Sequence, residues 1–279
     1  MPPERLTIRH HCHISKLRLL MLCGLLCAGC QSSRVANSTL PSQHSVRSEQ
    51  LLVLSNFRLP RKHQLIENLV TLREEVTRTL NLPPPKQDVV VYLFESEAEY
   101  RAYLNRVYPG LPARRAYFVG TSKELAVFTF WGDRILEDLR HEYTHGILHA
   151  SLRQVPLWLD EGLAEYFEVD DRTNSTLNLD HSVRLAKRLQ NGWHPDMQRL
   201  ERLDEFAQMK RSDYQESWAW VHYMLHSSPD SKAALLDYLY DLRTESNPTR
   251  LSQRLQEATP NTQERFVSHL GTFAIASRN

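Results

Sequence analysis

The pattern of hydrophobic and polar positions changes its period several times along this 279-residue chain. In the first half, short apolar runs rich in β-branched and aromatic residues stand between turn-forming residues, which is typical of buried strands. These runs predict strands at 51–54, 88–94, 115–119 and 125–131. The last two are separated by a short turn segment, so we expect them to pair as a hairpin.

Apolar residues recur at every third or fourth position in most of the remaining chain, and this period predicts amphipathic helices. The strand pattern does not return in the C-terminal half, which reads as helical throughout. The predicted helices cover 61–80, 95–107, 133–152, 157–168, 181–190, 201–209, 213–227, 230–244, 248–258 and 261–275.

This order of elements predicts the α+β class and one folded domain at 51–279. A small mixed α/β lobe that contains the sheet occupies 51–132. Two helices at 133–168 follow it, and a mainly helical lobe occupies 169–279.

The N-terminal residues have the pattern of an export signal. Basic residues are followed by a short apolar run at 19–26 and then by Cys27-Ala28-Gly29-Cys30. Ala28-Gly29-Cys30 resembles the bacterial lipobox, which implies cleavage after residue 29 and lipid attachment to Cys30. We therefore expect an exported protein anchored by lipid in the cell envelope, in the outer membrane facing the periplasm. An ordinary signal peptide with an incidental cysteine is the alternative.

Residues 30–50 are rich in Ser, Gln and Asn, and we predict a flexible tether there. Residues 30–279 hold 30 Lys and Arg against 32 Asp and Glu, so charge does not favour nucleic acid as a partner. All four cysteines lie within the first 30 residues. Metal ligands in the folded domain must therefore be His, Asp or Glu.

The helix predicted at 133–152 contains the sequence His141-Glu142-Tyr143-Thr144-His145. Residues four apart on a helix share a face, so His141 and His145 direct two imidazoles to one point. Glu142 lies beside that point and is suited to act as a general base. This HExxH pattern predicts a catalytic Zn²⁺ site.

The third metal ligand is expected on the following helix. Leu148 and Ser151 stand where one class of zinc enzymes has a Gly and a third His, so that class is excluded. His149 lies about 12 Å along the axis from the first histidine and cannot share its metal ion. Glu161 and Glu165 are four residues apart on one helix face. We assign Glu161 to the metal and Glu165 to the outer nitrogen of a ligating histidine.

The HExxH segment, together with Trp158-Leu159-Asp160-Glu161-Gly162-Leu163-Ala164-Glu165, resembles the gluzincin clan of metallopeptidases. It is most similar to bacterial peptidase-MA-like domains of unknown function. The resemblance is close over 139–168. It implies a zincin-like fold, Glu161 as the third zinc ligand and Glu165 as an outer partner.

The resemblance implies peptide-bond hydrolysis with Glu142 as the base and a Tyr or His of the helical lobe as oxyanion donor. The candidate donors are Tyr214, His222, Tyr223 and His226, of which we favour Tyr214. The Gly-x-Met-Glu-Asn segment of the clan's aminopeptidases is missing, which favours an endopeptidase acting on peptides or proteins. An amide of the cell wall is another candidate substrate. A zinc-stabilised lipoprotein with a binding or assembly role is the alternative from another functional class.

Overall fold

The computed structural model describes residues 39–169, 178–245 and 247–276. A five-stranded mixed sheet with its covering helices comes first, and a mostly helical region follows, which confirms the α+β class. Within these ranges, no helix has both the length and the apolar character needed to cross a membrane. The predicted export signal, Cys30 and the first part of the tether lie outside the described residues.

The sheet combines parallel central strands with antiparallel edges. Its strands are β1 (His44–Ser48), β2 (Leu51–Ser55), β3 (Val89–Phe94), β4 (Ala116–Gly120) and β5 (Leu125–Phe130). Their spatial order is β1-β2-β3-β5-β4. The pairs β2–β3 and β3–β5 are parallel, whereas β1–β2 and β4–β5 are antiparallel. The hairpin predicted from the last two strand patterns is thus confirmed as β4–β5, and β4 forms one edge of the sheet.

The prediction of a flexible tether over residues 30–50 is wrong for its last part, because β1 lies there. In β1, Val46 is buried and pairs in register with Val53 of β2. Glu49 takes a positive φ of 50° in the tight turn between the two strands. Backbone pairing with β2 provides most of the stabilisation of β1. A strand held in this way needs only one buried apolar residue, so its sequence has almost no recognisable pattern.

The sheet is covered by helices on both faces, so its central strand is buried at every position. In β3, Val89, Val91 and Leu93 belong to the core formed with helices that follow β2 and β5. Val90, Tyr92 and Phe94 point to the opposite face and pack in a second, more aromatic core. This alternation explains why the strand has a continuous apolar sequence instead of an alternating one.

Ten helices are found in the described part of the chain. They are α1 (Gln64–Thr79), α2 (Glu97–Val107), α3 (Ile135–Ser151), α4 (Leu157–Phe167), α5 (Leu179–Gln190), α6 (Met197–Leu200), α7 (Arg211–His226), α8 (Pro229–Thr244), α9 (Leu251–Ala258) and α10 (Thr262–Ala276). Nine of the ten predicted helices are present with shifted ends. Helices α1 and α3 cover one face of the sheet and α2 covers the other.

The helix predicted at 201–209 is wrong. The chain instead forms the one-turn helix α6, capped by the Asp196 side chain, and a 3₁₀ turn at Phe206–Gln208. The Phe206 side chain is exposed. Among residues 201–208, only Leu203 packs against the core, so a helix there would have little apolar surface to bury.

Helices α4 and α7 pack with their backbones in close approach. A Cβ atom added to Gly162 on α4 would lie 2.7 Å from the backbone oxygen of Ser217 on α7. Trp218 and Trp220 of α7 are both buried. This packing determines how the start of α7 is placed relative to the acidic face of α4.

Candidate metal centre

Helix α3 brings the two histidines of the HExxH pattern to one point. The apolar side of the helix, with Leu139, Tyr143 and Ile147, is fully buried and holds it against the sheet and α1. One turn apart on the adjoining face, the Nε2 atoms of His141 and His145 lie 3.3 Å from each other. Two ring nitrogens at this distance face a common position.

Helix α4 adds the Glu161 carboxylate to the same position. Glu161 is 1% exposed, and its Oε2 lies 3.5 Å from His141 Nε2 and 3.9 Å from His145 Nε2. This oxygen has no hydrogen-bond donor among the described residues. A buried carboxylate oxygen without a donor is costly unless a cation neutralises it.

The three groups fit a zinc ion. Zinc–nitrogen and zinc–oxygen bonds near 2.1 Å in tetrahedral geometry separate two ligand atoms by about 3.4 Å. The separations around Glu161 and the two histidines lie close to that value. Two imidazoles and one carboxylate, with one open position, form the donor set typical of catalytic zinc. The structure thus brings together all three residues that the sequence assigned to the metal.

Asp160 holds the outer side of His145. Its Oδ1 lies 2.9 Å from His145 Nδ1, while its Oδ2 lies 2.9 Å from His149 Nε2. Burial raises the pKa of Asp160, but the two histidines outweigh burial and hold that pKa well below its usual range. His149, excluded as a ligand by its distance, is therefore part of the chain of contacts that leads to the metal position.

Glu168 holds the outer side of His141, with its Oε2 3.1 Å from His141 Nδ1. The prediction that Glu165 takes this role is wrong. Glu165 Oε2 contacts His181 Nε2 of α5 at 2.7 Å and lies beside Glu168, one step further from the metal position. Both glutamates share the α4 face of Glu161, so sequence spacing could not separate them, and the position of α5 decides which one turns away.

The site has a strong preference for positive charge. Burial lowers the pKa of His145, but the Asp160 and Glu161 carboxylates outweigh burial and raise that pKa to about 9. Burial also lowers the pKa of His141, but the Glu161 and Glu168 carboxylates outweigh burial and raise that pKa well above its ordinary value. The carboxylates of Asp160, Glu161 and Glu168 thus surround two imidazoles, and either protons or a metal cation must compensate their charge.

Glu142 lies between the metal position and the edge of the sheet. Its Oε2 accepts a 2.6 Å hydrogen bond from the backbone N–H of Phe118 in β4. At the end of the hairpin, the Thr121 N–H donates to Glu124 O at 2.8 Å. In an antiparallel pair, successive residues point their backbone groups alternately toward and away from the partner strand. The backbone groups of Ala116, Phe118 and Gly120 are therefore directed away from β5. An edge with outward-directed backbone groups therefore runs past the carboxylate of Glu142.

Tyr214, the favoured oxyanion donor, lies at the same cleft near the start of α7. Its Oη accepts a 3.4 Å hydrogen bond from Arg114 Nη2, which reaches over from the segment before β4. Burial and the neighbouring Glu161 carboxylate raise the pKa of the Tyr214 phenol, so it stays protonated at neutral pH. Arg114 could not be predicted from the sequence, because an arginine in a loop has no pattern that relates it to a residue 100 positions later.

The other donor candidates lie elsewhere. His222 Nδ1 is 3.0 Å from His269 Nε2 of α10, and His226 Nε2 is 2.7 Å from Tyr166 Oη. Tyr223 is 1% exposed and packs against Trp220 and Phe266 in the core of the helical lobe.

A family model described as "Protein of unknown function (DUF1570)" matches residues 136–248. The matched segment starts in α3 and extends beyond α8, so it contains the predicted metal ligands, Glu142 and Tyr214. It leaves out the whole sheet and Arg114. No curated protein matches the chain.

Proposed function

We propose that this chain is a zinc-dependent metallopeptidase of the bacterial cell envelope with a zincin-like fold, acting as an endopeptidase. The observation that carries the proposal is the convergence of His141 Nε2, His145 Nε2 and the donor-free Glu161 Oε2. A general base, Glu142, lies beside that point. A site that only stabilised the fold would have no use for this fourth group.

The surroundings of the three ligands also support a catalytic site. Outer carboxylates hold both ring Nδ1 atoms, which leaves each Nε2 available to a metal ion. A bound zinc ion would polarise the carbonyl of the scissile bond and lower the pKa of the attacking water. His141, His145 and Glu161 would hold that ion.

Glu142 performs the proton transfers in this proposal. Its carboxylate takes a proton from the attacking water and passes it to the leaving amine. The Phe118 N–H, which donates to this carboxylate, keeps it oriented toward the cleft. The peptide itself is proposed to pair with the outward-directed backbone groups of β4, as an added strand does at a free sheet edge.

Tyr214 is proposed to stabilise the negative charge that develops on the carbonyl oxygen. A phenol can donate a hydrogen bond only while it is protonated, and the raised pKa of Tyr214 satisfies this requirement at neutral pH. Its contact with Arg114, which lies two residues before β4, supports a position for this phenol at the same cleft.

The decisive experiment measures metal content and turnover together on the purified chain from residue 31 onward. We expect one zinc per chain by elemental analysis and cleavage of a broad peptide library. The Glu142→Gln variant should keep its zinc and lose at least about a hundredfold in turnover, because the general base is gone. Absence of a transition metal would rule out the proposal, and equal turnover of both proteins would remove the peptidase claim.

The proposed location is tested separately on the full-length chain. Lipid attached to Cys30 would hold the protein on the membrane, so Cys30→Ser should move it to the soluble fraction of cells. Unchanged membrane association would contradict the lipid anchor and leave the enzymatic proposal intact.

A further inference from the structure

Arg114 lies at the mouth of the cleft and is exposed. It stands two residues before β4, and its Nη2 donates to Tyr214 Oη across the cleft at 3.4 Å. The Glu161 and Glu142 carboxylates are within electrostatic range of its guanidinium. A positively charged group is thus placed beside both the proposed base and the proposed oxyanion donor.

The neighbouring Arg115 shows what a structural arginine looks like in this segment. Its guanidinium forms a 2.8 Å ion pair with Asp138 on α3, which ties the strand to the helix. Arg114 forms no ion pair with any carboxylate of the described residues. Its other side-chain contact is with the face of the Tyr117 ring, 5.8 Å from the ring centroid. One long hydrogen bond leaves most of its five N–H donors available to a ligand.

A guanidinium without an ion-pair partner is suited to bind a carboxylate of a ligand. Its planar fork matches two carboxylate oxygens with two parallel hydrogen bonds. A peptide that pairs along β4 passes Arg114 at the end of the strand, so a carboxylate on that peptide comes within reach.

We propose that Arg114 makes the cleft selective for peptides with a carboxylate close to the scissile bond. The carboxylate comes from either the peptide's C-terminus or an Asp or Glu side chain. This inference rests on the proposed peptidase function and adds a substrate class to it. When the carboxylate binds the Arg114 guanidinium, the Tyr214 hydroxyl loses its long hydrogen bond with Arg114. The hydroxyl is then free to turn toward the carbonyl oxygen of the scissile bond.

The test uses fluorescein-labelled octapeptides that differ at one group. One pair has a free or an amidated C-terminus, and a second pair, amidated, has Glu or Gln at one internal position. Cleavage is measured with the zinc-loaded protein. Binding is measured by fluorescence anisotropy in the Glu142→Gln background, where turnover is strongly reduced. We expect one of the carboxylate peptides to be favoured about tenfold over its neutral partner in both measurements.

Arg114→Gln should abolish this preference, and Arg114→Lys should retain a reduced one, because an ammonium cannot form the two parallel bonds. Arg61→Gln is the matched control. It removes the same charge from an exposed position before α1, and the preference should persist. The pair that responds identifies the source of the carboxylate.

Each result has a separate meaning for the two proposals. Cleavage without preference in either pair would overturn the role of Arg114 and leave the peptidase proposal standing. A binding preference that depends on Arg114, without any cleavage, would support the carboxylate site and contradict the peptidase. Failure of all four peptides to bind or be cut would reject the carboxylate site.

Discussion

Helices α3 and α7 both contain histidines four residues apart, and of these only His141 and His145 on α3 have the surroundings of a metal centre. On α3, His141 and His145 face the Glu161 carboxylate and are backed by two further carboxylates. On α7, His222 and His226 lie with ring centroids 4.4 Å apart and have another histidine and aromatic rings as neighbours.

The electrostatic consequences are opposite in the two regions. On α3, the carboxylates overcome burial and raise the pKa of His145 to about 9. On α7, burial and the neighbouring His226 and His269 lower the pKa of His222 to about 3. Within the described part of the chain, both groups of side chains with the spacing to hold a metal ion include His141, and neither includes a histidine of α7. The spacing of two histidines is therefore insufficient, and the carboxylate partners create the demand for a cation.

The largest effect should come from removing the carboxylate that distinguishes the two regions. Glu161→Gln keeps the shape of the side chain but replaces an anionic oxygen with a poorly ligating amide. We expect zinc affinity to fall by more than about a hundredfold, beyond the effect of an outer partner. Competition with a chelating dye measures this loss. Glu264→Gln, at an exposed position on α10, is the control. A loss of zinc affinity of similar size in that variant would contradict a specific role for Glu161.

Removing an outer carboxylate should reduce zinc affinity less than removing Glu161 does. The loss should be larger for a carboxylate that contacts a ligating histidine. Asp160→Asn and Glu168→Gln each remove the partner of one ring Nδ1, so zinc affinity should fall by about ten- to a hundredfold. Glu165→Gln should have a smaller effect, because that carboxylate contacts His181 instead of a ligating histidine. The same dye competition gives the order, and a greater loss in Glu165→Gln than in Glu168→Gln would contradict the contacts seen here.

The histidine cluster of α7 should affect acid stability instead of metal binding. His222 binds its proton with a pKa of about 3 when folded, far below the ordinary 6.5, so the unfolded chain takes up more protons as the pH falls. The stabilisation is complete above pH 6.5 and is lost as the pH falls toward 3. Between pH 6.5 and 5 the cost attributable to this group is about 1.5 kcal/mol of unfolding free energy.

Replacing the group isolates that cost. In His222→Asn, the fall in unfolding free energy between the two pH values should be about 1.5 kcal/mol smaller than in the wild type. Urea denaturation at both pH values measures it. His269→Asn should act in the same direction and nearly as strongly, because its own pKa is lowered to about 4, which still lies below both pH values. An unchanged pH dependence in both variants would show that the cluster does not titrate as described.

Patterns with a strong period were predicted well, and contacts made by single residues were not. Strand β3 and helix α7 followed directly from their apolar sequences. Strand β1, with one buried apolar residue, and the failed helix at 201–209 depended on pairing or burial that no local pattern encodes. The same division holds in the site, where helix periodicity predicted that His141 and His145 share a face, while the contacts of Glu168 with His141 and of Arg114 with Tyr214 were not predicted.

The sequence by itself determined which residues can meet, because helical periodicity places His141 and His145 on one face and Glu161 on the next amphipathic helix. Only the tertiary structure decided what surrounds them. The close approach of α4 and α7, the position of α5 and the edge location of β4 select Asp160 and Glu168 as outer partners and bring Arg114 to Tyr214. Local backbone geometry acts over a few residues, whereas these contacts join segments up to 100 residues apart and exist only once the core has packed.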